Sequence, residues 1–359
     1  MKPKKLLLAG SHGATTGLSI VEEIKTRNLD WDIYWVGRKH AGERNKLESL
    51  EYKVLPKLGV KFYNLISGKI ENRFTRYTIL ALLKIPFGFV QSLFLIIKIK
   101  PDLTLSLGGS SGSLVSFWSW VLKIPVIVHE QTSSAGRANI FSSKFAKKVA
   151  ISRKTSEEYF PKEKLILTGN PINKNILEIS KKTNSLEVKT ILITGGSRGS
   201  SWLNNAVKPI LESLLNKYFV IHQTGNEDFN KFKEIVNEKY LHIGQAEPSE
   251  WFSILEKSDI VISRAGANTV SELIALKRPS ILVPIPWSYH NEQTENAKYM
   301  ESLGLARILQ QDKLTPEKLE EEISKLISDY PEIIKNTINL VSPDVFASKN
   351  LVDLIEDYI

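Results

Sequence analysis

Two glycine-rich turns are the first places where this chain could do chemistry: Ala9-Gly10-Ser11-His12-Gly13 and Gly195-Gly196-Ser197-Arg198-Gly199. Each follows a short apolar run and precedes a helical stretch, and backbone N–H groups at a helix N-terminus attract phosphate oxygens. Neither is a Walker loop, because no Gly-Lys-Ser/Thr follows, and neither has the Gly-x-Gly-x-x-Gly spacing of dinucleotide folds, so a plain tight turn competes for each. The second turn gains specificity from Arg198 and from the run Ser263-Arg264-Ala265-Gly266-Ala267-Asn268-Thr269-Val270-Ser271-Glu272, whose Glu272 could accept hydrogen bonds from vicinal ribose hydroxyls. The plainer expectation for that run is a helix capped by Asn268 or Thr269, with Glu272 completing a capping box. Residues 284–297 crowd amides and carboxylates, Gln293 and Asn296 among them, after another apolar run. In the first half, His129-Glu130-Gln131 follows Val126 to Val128, and Gly108-Gly109-Ser110-Ser111-Gly112 follows Leu103 to Leu107. His12, His129 and Glu130 are the tunable proton acceptors available to a general base there. The six His show no ligand spacing and Asp30-Trp31-Asp32 lies before a strand, so no metal is expected.

Positioning these groups requires strands. Apolar β-rich runs recur at Leu6 to Ala9, Ile33 to Val36, Lys61 to Leu65, Leu103 to Leu107, Val126 to Val128 and Val149 to Ile151, with helical stretches between. A second series occupies Ile191 to Thr194, Phe219 to His222, Ile260 to Ile262 and Ser280 to Val283. Near-continuous apolar strands alternating with helices predict parallel sheets covered on both faces, hence an α/β chain of two doubly wound domains facing across a cleft. The polar stretch 173–189 marks the boundary between a first domain, 1–172, and a second, 190–342. The candidate residues then lie at strand C-terminal ends, where open α/β sheets bind ligands.

The composition narrows the class. A chain of 359 residues, 42% hydrophobic and without cysteine, holds itself together by packing, with no disulfide, thiolate nucleophile or Cys-type zinc site. Residues 1–168 carry 27 Lys and Arg against 13 Asp and Glu, a net +14, whereas the rest nets −5. Such asymmetry points to an anionic partner met by the first half, an acidic membrane or nucleic acid. No interleaved aromatic and basic motif supports nucleic acid. The Lys4 to Ala9 run is too short for a secretory segment and reads as a buried first strand. Residues 79–99 approach the length of about 20 that spans a bilayer, but Lys84, Pro86, Gly88 and Gln91 argue against a span. A core helix is one alternative. The other is a segment resting on lipid, with Ile79, Leu82, Leu83, Phe87 and Phe89 on the membrane and Arg73, Arg76 and Lys84 at acidic head groups.

Taken together, Gly195-Gly196-Ser197, His222-Gln223-Thr224-Gly225, Ser263 to Ala267 with Ser271-Glu272, Gln293 with Asn296-Ala297, His129-Glu130-Gln131 and Gly169-Asn170-Pro171 resemble the signature of the MurG family, in order over nearly the whole chain. The resemblance implies a GT-B fold whose second domain binds a UDP-sugar and whose first binds acceptor and membrane, with a C-terminal helix, 343–359, packing back on the first. It implies an inverting, cofactor-free transfer of N-acetylglucosamine from UDP-N-acetylglucosamine to lipid I, a polyprenyl-pyrophosphate-linked sugar. The product would be lipid II for peptidoglycan, made peripherally at the cytoplasmic membrane face. By motif match the donor would be held by Gly196, Ser197, Arg198, Arg264, Ala267, Asn268, Glu272, Gln293 and Asn296. The acceptor would be held by Gly13, Gly109, Ser110, His129, Gln131 and Asn170, with His12 or Glu130 as base. The chain departs from the family at Ala14, where a His is usual, at Thr132 and Asn173, usually Asn and Arg, and at Arg198, usually Gln. Pro248, near the usual uracil contact, has no N–H to donate. A different lipid-linked acceptor, a UDP-sugar-binding scaffold without turnover, and an NADP oxidoreductase using Arg38 are the rival expectations.

Overall fold

A computed structural model describes residues 2–11, 13–40, 48–68, 76–180, 186–196 and 199–359. His12, Arg73, Ser197 and Arg198 therefore lie outside the described residues, as do the side chains of residues 76–83, 248 and 249. The chain divides into two units, Met1–Lys174 with Pro343–Ile359, and Asn175–Ser342.

The first unit is built on seven strands: β1 Lys4–Ala9, β2 Trp31–Gly37, β3 Lys61–Asn64, β4 Leu103–Ser106, β5 Val126–Glu130, β6 Lys148–Ile151 and β7 Leu165–Leu167. They form one parallel sheet in the order β3-β2-β1-β4-β5-β6-β7. The central strand shows why an uninterrupted apolar run makes a strand here. Successive side chains alternate faces, so Leu6 and Leu8 pack into one buried cluster while Leu7 and Ala9 pack into another on the opposite face. The first cluster is closed by Ile20, Val21 and Ile24 of the helix Ala14–Thr26 and by Leu351, Val352, Leu354 and Ile355 of the C-terminal helix Ala347–Glu356. Arg27 bonds Asp353 at 2.6 Å and Glu356 at 2.7 Å across these two helices.

The second unit repeats the scheme with β8 Thr190–Thr194, β9 Phe219–Gln223, β10 Tyr240–Ile243, β11 Ile260–Ser263, β12 Ser280–Leu282 and β13 Ala306–Ile308, parallel and in the order β10-β9-β8-β11-β12-β13. The helix Pro316–Thr337 covers it, capped by Thr315, whose hydroxyl accepts the Lys318 N–H. Leu319, Ile323, Leu326, Tyr330 and Ile334 recur at helical spacing, so that one stripe is buried against Ile191 and Ile193. In each sheet the strand order reverses at the centre, between β1 and β4 and between β8 and β11, and ligands bind at such switch points.

Two expectations change in detail. Strands β7, β10 and β13 escape the apolar-run criterion because each is a short strand of three or four residues at a sheet edge, and all are partly solvated. His129 and Glu130 are the last two residues of β5, inside the sheet rather than after it. Among the described residues no helix is long and apolar enough to cross a membrane.

Candidate active site

In the second unit the β8 and β11 loops meet at the switch point. Gly195 and Gly199 are required sterically: a Cβ on Gly195 would lie 2.2 Å from the Gly199 carbonyl carbon, and one on Gly199 would lie 2.1 Å from the Thr224 oxygen. The turn is held from below, where the Thr194 hydroxyl accepts the Gly196 N–H at 3.0 Å and donates to Gln223 Oε1 at 2.9 Å. Gly196 adopts φ +79°, and no described residue lies near its missing side chain. Asn204 braces the same region, donating to the Thr224 carbonyl and to Asp228, both at 2.9 Å, while its carbonyl meets buried His222 at 3.1 Å.

Arg264, only 7% exposed, reaches across this turn. Its guanidinium donates to Ser200 Oγ at 3.1 Å, the Val283 carbonyl at 3.0 Å and Gln311 Oε1 at 2.8 Å. All three acceptors are neutral, and burial pulls its pKa down to about 10. A desolvated cation with no carboxylate partner among the described residues, beside a glycine turn, is suited to an anion. The helix Ala267–Ala275 starts at Gly266 as N-cap, with no side-chain cap and no acidic residue in its first turn. Asn268 and Thr269 are therefore inside the helix and the capping-box expectation fails. Ala267 opens that helix, and its first turn keeps backbone donors for a ligand.

Glu272 sits on this helix at 5% exposure, and burial pushes its carboxyl up to about 7. Its one hydrogen bond among the described residues comes from Trp251 Nε1, 3.0 Å from Oε2. Gln293 Oε1 accepts the Ile285 N–H at 3.1 Å and Asn296 donates to the Ala265 carbonyl at 3.1 Å, so both amides shape the loops after β11 and β12. Pro248 occupies the first turn of the helix Pro248–Lys257, where a missing N–H costs no helical bond.

In the first unit the turns after β1 and β4 touch. Ser11 and Ser111 hydroxyls lie 3.3 Å apart, Ser67 is 3.0 Å from Ser111, and Ser110 donates to Ser67 at 3.2 Å. Gly109, at φ +71°, has no room for a Cβ, which would lie 2.6 Å from Ser11. Gly13 caps the helix Ala14–Thr26 with no side-chain bond. Gln131 accepts from Thr16 Oγ1 at 3.4 Å. Gly13, Gly109, Ser110 and Gln131 thus gather at the C-terminal end of this sheet.

The other expected acceptor residues turn inward. His129 is buried, its Nε2 3.2 Å from the Gly169 carbonyl, and burial pulls its pKa down to about 4. The Asn170 N–H donates to Asp344 at 2.7 Å, and Asp344 forms a buried bidentate pair with Arg153, both contacts 2.6 Å. Glu130 accepts from Thr132 N and Oγ1, Gly136 N and Asn139 Nδ2 at 2.7 to 3.1 Å, which organises the following loop and leaves no approach for an acceptor hydroxyl. Thr132 is thereby explained as a closure of this loop. Asn173 Nδ2 donates to the Glu22 carboxyl oxygens at 3.2 and 3.3 Å, and nothing in the structure explains the replacement of the usual Arg. Arg38 is buried, with Glu51 facing it, and Glu51 also accepts the Gly13 N–H, so the cation proposed for NADP is engaged internally. Glu51, Ser67, Asn204 and Trp251 escaped the sequence reading, because their partners lie far away along the chain.

One surface of the first unit is unusual. On the helix Arg76–Ile99, Gly88, Ser92, Ile96 and Ile99 face inward while Phe87, Val90, Phe94 and Ile97 are exposed, Phe87 by 72% and Phe94 by 66%. The stripe has helical spacing but faces solvent, the reverse of a core-packed helix. The rings of Phe89 and Phe117 lie tilted with centroids 5.4 Å apart, and Phe117 leads through Trp120 and Phe145 to half-exposed Phe141. An apolar surface of this extent marks an interaction face.

Residues 190–353 match the glycosyltransferase family 28 C-terminal domain and residues 40–151 the glycosyltransferase family 28 N-terminal domain. The chain is 31% identical over 345 residues, 90% of each chain, to the UDP-N-acetylglucosamine–N-acetylmuramyl-(pentapeptide) pyrophosphoryl-undecaprenol N-acetylglucosamine transferase of Bacillus cytotoxicus. It is 30% identical to the Clostridium tetani protein of the same name, over 99% of this chain and 98% of that one. Among solved structures, Acinetobacter baumannii MurG aligns with a TM-score of 0.71 at 23% identity, covering 99% of this chain and 100% of that chain. A Neisseria meningitidis UDP-GlcNAc 2-epimerase aligns with a TM-score of 0.67 at 16% identity, covering 99% and 100%. These two likenesses speak for the fold alone, which with the two parallel sheets is GT-B. The chain belongs to glycosyltransferase family 28, within its MurG family of N-acetylglucosamine transferases.

Proposed function

We propose that this protein transfers N-acetylglucosamine from UDP-N-acetylglucosamine to lipid I, an N-acetylmuramyl-pentapeptide on polyprenyl pyrophosphate, forming lipid II with inversion at the anomeric carbon. The observation that carries the reading is the kinship over 90% or more of the chain with transferases named for that reaction. The second unit suits the donor. Glu272 offers a carboxylate to the ribose hydroxyls, the backbone around Gly196 with Ser197 and Arg198 receives the diphosphate, and Arg264 supplies uncompensated positive charge. Gln293, Asn296, Ala267 and Asn268 line the sugar side. As the acceptor hydroxyl attacks, the anomeric carbon–oxygen bond to UDP breaks, and the charge developing on UDP is stabilised by Arg264 and the open helix N-terminus, without a cofactor.

The first unit suits the acceptor. The joined turns of Gly13, Gly109 and Ser110, with Gln131 beside them, present backbone and hydroxyl donors to its pyrophosphate. His12 takes the hydroxyl proton, since Glu130 is saturated by four donors, and His129, Glu130 and Asn170 act by holding the surrounding loops. The Phe87–Ile97 stripe rests on the membrane, with the +14 charge of residues 1–168 drawn to anionic head groups. This makes the protein peripheral, at the cytoplasmic face where both substrates are present, with no nucleic acid partner.

The test is UDP release by purified protein given UDP-N-acetylglucosamine with and without a short-chain lipid I analogue. Acceptor-dependent release is expected. Release that ignores the analogue would assign a different acceptor, and UDP binding with no release would make the protein a donor-binding scaffold.

A further inference from the structure

We propose that Trp251 is a positioning residue for the donor nucleoside, its indole N–H holding one oxygen of Glu272 so that the other is presented to the ribose hydroxyls. The inference rests on the donor reading above and adds a residue to it. Trp251 lies on the helix Pro248–Lys257 and Glu272 on the helix Ala267–Ala275, and the Nε1–Oε2 contact of 3.0 Å joins the two. No described protein group bonds Oε1, so without the indole this nearly buried carboxylate would have no hydrogen bond within the described protein. A carboxylate free to rotate into its apolar surroundings, or to take up a proton, no longer holds an unprotonated oxygen towards the vicinal hydroxyls.

The indole is itself held in place. The Glu247 N–H donates to Glu250 Oε2 at 2.9 Å, and this capping box with Pro248 fixes where the helix begins, one turn before Trp251. Charged neighbours act elsewhere. Glu250 is used in the box, Arg264 bonds Ser200, Val283 and Gln311, and Arg278 faces Glu256, Asp259 and Tyr330. Burial and the Trp251 N–H are the two influences on Glu272 among the described residues. Burial disfavours its ionised form, and the N–H favours it.

The experiment is calorimetric titration of the full chain with UDP and with 2′-deoxy-UDP from pH 6 to 9, for wild type, W251F, W251M and W251H. Wild-type affinity for UDP should rise through about pH 7 and exceed that for the deoxy analogue. In W251F and W251M, which lack the donor, UDP affinity should fall about tenfold at pH 7. The midpoint of the rise should move to higher pH, so that the deficit narrows by pH 9. W251H, which keeps a ring N–H, should recover part of the loss. Folded W251F or W251M with wild-type affinity and midpoint would overturn the proposal, leaving the indole as a wall. A wild type that binds UDP and its deoxy analogue alike would instead remove the ribose role of Glu272, and the proposal with it.

Discussion

Arg264 offers a sharp test of how this site holds a nucleoside diphosphate. Its three hydrogen-bond partners are neutral, so no carboxylate among the described residues shares its charge, and replacing it by Met removes one full positive charge while preserving bulk. A unit charge about 6 Å from a phosphate, at an effective dielectric of about 20, contributes about 3 kcal/mol. R264M should therefore weaken UDP binding roughly 100-fold. Uridine has no phosphate to feel the charge, so its affinity should change less than about threefold, and the ratio of the two losses isolates the electrostatic part. Stability of the ligand-free protein should move little, because losing three hydrogen bonds is offset by relief of a desolvated cation. Titration calorimetry with UDP, UMP and uridine, accompanied by thermal melts, reads all of this. Equal losses for UDP and uridine would show that Arg264 shapes the loop without attracting the anion, and the charge argument would be wrong.

The exposed stripe predicts that F87S and F94S each reduce binding to phosphatidylglycerol vesicles by about 10-fold or more, from about 1.5–3 kcal/mol per buried Phe. Co-sedimentation at low and high salt should show both the apolar loss and a screened basic contribution, and unchanged binding would refute the membrane face. His129 predicts an acid-sensitive first unit. Its folded pKa of about 4 lies below the ordinary 6.5, so the unfolded state takes up a proton first as pH falls. Stability from keeping this imidazole neutral is complete above about pH 6.5 and lost progressively towards pH 4, a change on the order of 3 kcal/mol. Urea unfolding across that window should show H129Q flattened relative to wild type, and parallel profiles would contradict the assignment.

Local pattern made much of this protein readable. Nearly every central strand announces itself as an apolar run because a parallel sheet buries both faces, and the glycines of Gly195 to Gly199 are required by a turn whose steric demands are themselves local. The motif order from Gly195 to Asn296 carried the family for the same reason, since each loop follows the strand that places it. Strands β7, β10 and β13 were hidden, being short and half solvated, with little apolar signal over three or four residues. Chemistry was harder to read than fold. Glu130 and His129 have the residue types of catalysts, but a side chain's role depends on which partners reach it, and these are set by packing. Glu130 is enclosed by Thr132, Gly136 and Asn139, and Asn170 beside His129's partner Gly169 is tied to Asp344, 174 positions away. Trp251 and Glu272 likewise meet only because two helices lie side by side. Sequence by itself determined the two sheets, the loops at their switch points and the family. Tertiary structure alone decided which polar groups face a ligand and which are buried in service of the fold, because desolvation and hydrogen-bond partnership are properties of neighbours in space.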